Sequence, residues 1–92
     1  VKVSFDPDKR ARTLAERGLD MADAAKVFEG AHITTRDDRR DYGEERHLTI
    51  GYLDGRMVAL VWTQRDESLR VITLRKTNVR EQETYQSWLC RE

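Results

Sequence analysis

A chain of 92 residues is long enough to bury one compact core and too short for two, so a single domain spanning residues 1–92 is expected. With 37 % charged against 38 % hydrophobic residues, the composition is that of a globular domain with little apolar surface to spare, and no apolar run reaches the roughly 18 residues that span a bilayer. The 17 basic and 17 acidic side chains sum to a formal charge of zero, which argues against a nucleic-acid binder held by bulk electrostatics.

Val3 and Phe5 make a short apolar start that Asp6 and Pro7 cut off. Aspartate accepts from the orphan N–H groups of a helix start and proline tolerates the first helical position, so a helix is predicted from there to Gly18, where glycine makes a left-handed cap cheap. Ala11, Leu14 and Ala15 give it a thin apolar stripe at helical spacing. A second helix follows, capped by Asp20 with Asp23 three residues on; Leu19 can staple against Ala24, Met21, Ala24, Ala25 and Phe28 share a face, and Gly30 closes it. From Ala31 to Glu45 the chain is dense in alternating charge, an irregular connection with room for a short edge strand at His32 to Thr35.

Three strand-like runs come next. Arg46 to Tyr52 alternates, with Leu48, Ile50 and Tyr52 on one face, and Gly51 within it reads as a bulge. Asp54-Gly55 is a strong two-residue hairpin turn into Arg56 to Arg65, whose MVALVW is apolar at both parities and therefore belongs to a central strand covered on both sides. Asp66, Glu67 and Ser68 turn the chain into Leu69 to Arg75. Asn78 with Glu81 then forms a capping box for a last helix in which Tyr85, Trp88 and Leu89 share a face. The order, a short strand, two helices, a meander of three or more antiparallel strands and a last helix, indicates an α+β fold with an antiparallel sheet of about four strands, two N-terminal helices and a C-terminal helix.

The opening VKVSFDPDKR lacks the apolar core of a secretion signal, and the single cysteine, Cys90, fits a reducing compartment, so a cytoplasmic protein is expected. His32 and His47 stand 15 residues apart with no Cys or third His nearby, which is no metal-ligand spacing, and no cofactor is expected. His47 reads as a surface or partly buried strand residue and Trp62 as core packing. Charge is uneven: residues 46–92 carry eight basic and six acidic side chains, and Arg65 to Arg80 holds five cations against two anions.

Two segments, FDPDKRARTLAERGLDMADAAKVFEG and EERHLTIGYLDGRMVALVWTQRDESLRVITLRKTNVREQETYQ, resemble the BrnT family. The first has an apolar residue before Asp-Pro, a helix ending in a basic residue and Gly, and an A-x-x-V-F close. The second has the Glu-Glu-Arg strand, Ile-Gly, Gly-Arg, Thr-x-Arg and Arg-x-Ile-x-x-Arg-Lys in order, then Arg-Glu and a later Tyr. The resemblance implies a RelE-like fold, RNA cleavage that arrests translation, and neutralisation by a BrnA-like antitoxin with a ribbon-helix-helix part that contacts operator DNA. This chain departs from the pattern at Glu16-Arg17-Gly18, where the family often has Lys-His-Gly, at Leu74, where a small residue is common, and at Arg39, Arg40, Asp41 and Tyr42, where the family often shows His-Ser. These departures keep open a catalytically inactive co-repressor that binds the antitoxin and tunes its DNA binding.

Metal-independent RNA cleavage requires a base for a 2′-OH, charge stabilisation at the phosphate and a proton for the leaving 5′-oxygen. Arginine suits the second task, because its planar fork binds two phosphate oxygens and keeps its proton. Parity puts Thr63 with Arg65 and Thr73 with Arg75 on one face of their respective strands. The matching residues Arg46, Thr63, Arg65, Arg75 and Arg80 are the site candidates, with Arg65, Arg70, Arg75 and Lys76 as RNA contacts and Glu45, Tyr85 or Lys76 as proton-transfer groups. The competing role of the arginines is ion pairing with Asp66, Glu67 or Glu81, or docking an acidic antitoxin segment.

Overall fold

A computed structural model describes residues 2–38, 41 and 43–89; Cys90 and, in the charged connection, Arg39, Arg40 and Tyr42 lie outside them. The element order is β1 (Lys2–Ser4), α1 (Pro7–Arg17), a 3-10 helix (Met21–Phe28), β2 (His32–Arg36), β3 (His47–Leu53), β4 (Arg56–Arg65), β5 (Ser68–Lys76) and α2 (Val79–Leu89). The local signals act as expected. Asp6 accepts from the Asp8 N–H, Gly18 is left-handed at φ 68°, and Asp20 accepts from the Ala22 N–H. Asp54 and Gly55 both have positive φ, 52° and 79°, as a type I′ hairpin turn requires.

The sheet has five strands in the order β1-β5-β4-β3-β2 and is mixed: β2 to β5 pair antiparallel, whereas β1 pairs parallel with β5 through Lys2 to Ser4. The expected four-stranded antiparallel sheet therefore gains a three-residue parallel edge. Strand β4 is central and buried from Met57 to Val61. Its Val58 and Leu60 join Leu69, Val71 and Leu74 beneath Leu19, Met21, Ala24 and Val27, while Met57 and Ala59 join Ile50 beneath Leu89 of α2. The sheet is thus sandwiched between the 3-10 helix and α2. Among the described residues no helix is long and apolar enough to cross a membrane.

Three local expectations are corrected. The second helix is 3-10 rather than α, and its buried face is Met21, Ala24 and Val27, a repeat of three that eclipses side chains into one narrow ridge. That ridge lies against Gly51, where a Cβ would meet Val27 Cγ1 at 2.7 Å and the Val27 carbonyl at 3.2 Å. Gly51 pairs regularly with both His32 and Val58, so it is a close-approach glycine and not a bulge. The irregularity lies instead where Val61 opposes Thr73 and Trp62 opposes Val71, leaving Ile72 as an extra residue in β5.

Helix α1 is the third correction. The stripe of Ala11, Leu14 and Ala15 faces water, Leu14 being 45 % exposed, and the buried residue is Thr13. Lys9, Thr13 and Arg17, four apart, form the inward row because their partner is a strand edge with open carbonyls. Beyond the end of β1, Lys9 Nζ donates to the Ile72 carbonyl at 2.6 Å and Arg17 Nη1 to the Leu74 carbonyl at 3.0 Å. Buried backbone acceptors need such donors where no strand supplies them.

Candidate functional site

On the α2 side of the sheet, Leu48, Val61 and Thr73 stand in one row across β3, β4 and β5 and floor a cleft of about 490 Å³. Its walls are Arg17 from the end of α1, Arg75 and Glu81 on either side of the β5–α2 turn, and Arg36, Asp37 and Asp38 from the end of β2. The β5 bulge makes this floor. If Ile72 paired regularly with Val61, Thr73 would fall opposite Leu60 and turn its side chain to the other face; with Ile72 bulged out of register, Thr73 opposes Val61 and Arg75 opposes Ala59.

Charge in the cleft is organised in pairs. Arg75 Nη1 and Nη2 each donate to a Glu81 carboxylate oxygen at 2.8 Å, a bidentate clamp. The Arg75 hydrogen bonds, helped by the Asn78 N–H and opposed by burial, push the Glu81 carboxyl down to about 2. Glu81 also completes the capping box, its N–H donating to Asn78 Oδ1 at 2.8 Å while its carboxylate accepts from the Asn78 N–H at 3.0 Å. The side chain of Arg75 remains 40 % exposed, so the clamp is reachable from solvent.

Arg36, Asp37 and Asp38 also line an adjoining acidic hollow of about 400 Å³ with Asp41, Glu44, Glu45 and Arg46. Here Glu44 bridges two of the candidate arginines, Arg46 Nε at 3.4 Å and Arg65 Nη2 at 3.3 Å. Thr63 Oγ1 donates to the backbone carbonyl of Glu45 at 2.7 Å, fixing the entry to β3. Among the described residues no group of three or more His, Cys, Asp or Glu side chains is placed to hold a metal ion.

The structure therefore gathers the candidates into two groups and leaves others apart. Arg75 stands with Thr73 in the cleft; Arg46, Arg65, Thr63 and Glu45 surround Glu44 beside it. Arg70 opposes Thr63 on β5, before the bulge. Arg80 is exposed on α2 and Tyr85 packs on the Ile50, Met57, Ala59 and Leu89 cluster, and neither lines the cleft. Lys76 lines a separate hollow with Gly18, Leu19 and Arg56. His47 is half-buried on β3 with its ring 4.6 Å from that of Trp62, and Trp62 packs against the core with its Nε1 donating to Thr49 Oγ1.

Sequence reasoning missed Arg17, Arg36, Asp37 and Asp38 as cleft residues, and took Glu81 for a cap and ion-pair partner only. The one available signal was the four-residue spacing of Lys9, Thr13 and Arg17, which sets cations on one face of α1.

A search of curated proteins finds no match for the chain. The family model described as the ribonuclease toxin, BrnT, of type II toxin–antitoxin systems matches residues 5–81, a span that runs from Phe5 beside α1, through every strand from β2 to β5, to the Glu81 that clamps Arg75. With its arginine cleft inside that span, the chain belongs to the BrnT family of ribonuclease toxins of type II toxin–antitoxin systems.

Proposed function

We propose that this chain is a metal-independent endoribonuclease that cuts single-stranded RNA in the Arg75 cleft, inhibits translation in the cytoplasm and is silenced by a BrnA-like ribbon-helix-helix antitoxin. The observation that carries the proposal is the convergence of Arg75, Arg17 and Thr73 on one open cleft of about 490 Å³. Two guanidinium groups supply the charge stabilisation that a phosphodiester needs, and the Thr73 hydroxyl offers a neutral hydrogen bond beside them. The RelE-like fold ascribed to the family agrees with a sheet carrying its site on one face.

In the proposed reaction the RNA 2′-oxygen bonds to phosphorus and the bond to the 5′-oxygen breaks, leaving a 2′,3′-cyclic phosphate and a 5′-OH. The proton leaving the 2′-OH returns to the 5′-oxygen through a carboxylate or water. A phosphate arriving at Arg75 competes with Glu81, and a Glu81 carboxylate released from Arg75 regains basicity. Arg65 and Arg46, with Thr63 holding the Glu45 backbone, form an outer cationic group for the flanking chain. Glu45 serves as an alternative base from the adjoining hollow, and Arg70, Lys76, Arg80 and Tyr85 act outside the cleft on the RNA strand or on the packing of α2.

The pairing of Arg75 with Glu81 and of Arg46 and Arg65 with Glu44 also favours a second reading, an inactive co-repressor whose guanidinium groups are internally neutralised. Purified protein incubated with RNA in EDTA separates the two. Cleavage that persists in EDTA and is lost in Arg75→Ala supports the nuclease; intact RNA with undiminished antitoxin binding supports the co-repressor.

A further inference from the structure

The cleft does not end at Thr73. Arg17 and Thr73 line a second groove of about 160 Å³, whose other walls are Lys9, Arg12, Thr13, Glu16 and Met21, so the two hollows adjoin at Arg17 and Thr73. The helix that borders the groove carries four cations, Lys9, Arg10, Arg12 and Arg17, against two anions, Asp8 and Glu16, in a chain of zero net charge. Their duties differ. Arg10 is spent on Asp20, with Nε and Nη2 at 2.7 and 3.0 Å from its carboxylate, and Lys9 and Arg17 each hold a β5 carbonyl. Arg12 is exposed, and none of the hydrogen bonds or ion pairs among the described residues involves it. A guanidinium on a groove wall with no internal partner marks a place for an external anion.

We propose that this groove is a flanking-phosphate subsite, in which Arg12, with Lys9 and Arg17 behind it, takes the phosphate next to the one at Arg75 on a single RNA strand. The proposal rests on the nuclease reading for the identity of the strand, and it assigns the path of one flank of that strand: along α1, the other flank running toward Arg65 and Arg46. Glu16 is the one anion of the groove and opposes binding there. Substrates are therefore recognised through at least two successive phosphates.

The test is binding, and needs no turnover. A 2′-O-methylated heptanucleotide, which cannot be cut, is titrated into wild-type protein, Arg12→Gln and Glu16→Gln over a range of salt concentrations. Arg12→Gln should keep the wild-type melting temperature, bind several-fold more weakly, and lower the salt slope by about 0.7, the value of one phosphate contact on a single strand. Glu16→Gln should bind more tightly. A mononucleotide diester, too short to reach the groove, should bind all three alike. Unchanged affinity and slope in Arg12→Gln, or an equal loss with the short ligand, overturns the subsite. Loss of binding in Arg75→Ala but not in Arg12→Gln would leave the nuclease reading standing without the subsite; loss in Arg12→Gln but not in Arg75→Ala would do the reverse.

Discussion

Replacing Glu81 with Gln should lower stability and raise RNA affinity at once, and the two effects have one cause. The substitution removes the charge that clamps Arg75 while keeping an oxygen for the Asn78 N–H, so the capping box survives. A carboxyl held at about 2 instead of its ordinary 4.5 corresponds at face value to about 3 kcal/mol at neutral pH. Arg75 is 40 % exposed and Glu81 23 %, so solvent screening leaves about 1 kcal/mol, or about 4–8 °C in melting temperature for a domain of this size. Because the folded carboxyl titrates below the unfolded one, this contribution is complete above about 4.5 and fades as pH falls toward about 2. Urea midpoints of wild type and Glu81→Gln should thus differ by a constant amount from neutral pH down to about 5 and converge below it; the Asp20–Arg10 pair titrates in the same range but equally in both proteins. A gap that persists unchanged near pH 3 would show that packing, not charge, sets the cost. On the functional side, a freed Arg75 should bind the non-cleavable heptanucleotide more tightly. Unchanged or weaker binding would mean that phosphate does not meet Arg75.

Two further substitutions test how the site is held up. Gly51→Ala places a Cβ 2.7 Å from Val27 Cγ1 and should cost about 1–3 kcal/mol by thermal melting, with most of that loss absent when Val27→Ala has already made room. Thr49 is fully buried, and its hydroxyl meets Trp62 Nε1 at 2.9 Å and Thr34 Oγ1 at 2.8 Å. Thr49→Val leaves both without that partner and should cost about 1–3 kcal/mol in chemical denaturation, whereas Thr49→Ser, which keeps the hydroxyl, should cost less.

What the sequence made legible is what depends on neighbours within about four residues. The Asp6-Pro7 start, the Gly18 stop, the Asn78–Glu81 box and the Asp54-Gly55 turn are local chemistry, and each does its expected work. The central place of β4 was legible because burial on both faces leaves no room for alternation. Eight residues, by contrast, are too few to separate a repeat of 3.0 from one of 3.6, so the 3-10 geometry of Met21–Phe28 was hidden. Strand β1 was legible as a short strand, but its parallel place in the sheet was not, because its three residues pair with Ser68 to Arg70, far along the chain. The polar face of α1 was hidden too, since a helix that packs on open carbonyls needs donors where the usual pattern asks for apolar side chains.

The site was legible to a similar depth. Arg75 could be singled out because threonine and arginine alternate at a strand end, and Glu81 was among its foreseen partners. Arg65 turned instead to Glu44, 21 residues back, a contact set by the strand order and not by proximity in sequence. Nothing local announces the extra residue at Ile72, yet that residue decides whether Thr73 and Arg75 face the cleft at all.

The zero net charge that argued against a nucleic-acid binder held by bulk electrostatics is, on the proposed function, explained by the same pairs. Counterion release rewards a protein for cations that stand unpaired before the polyanion arrives. Arg75, Arg46 and Arg65 each face a carboxylate, so an RNA phosphate that meets them displaces Glu81 or Glu44 and exchanges one anion for another. Such an exchange gains geometric selectivity from the bidentate fork but little from dilution of salt. The salt-dependent part of binding then falls to cations without an internal anion, and at the end of the cleft that description fits Arg12. A neutral chain can in this way hold a phosphate tightly at one point while avoiding the indiscriminate adhesion to RNA that a basic surface of the same size would cause.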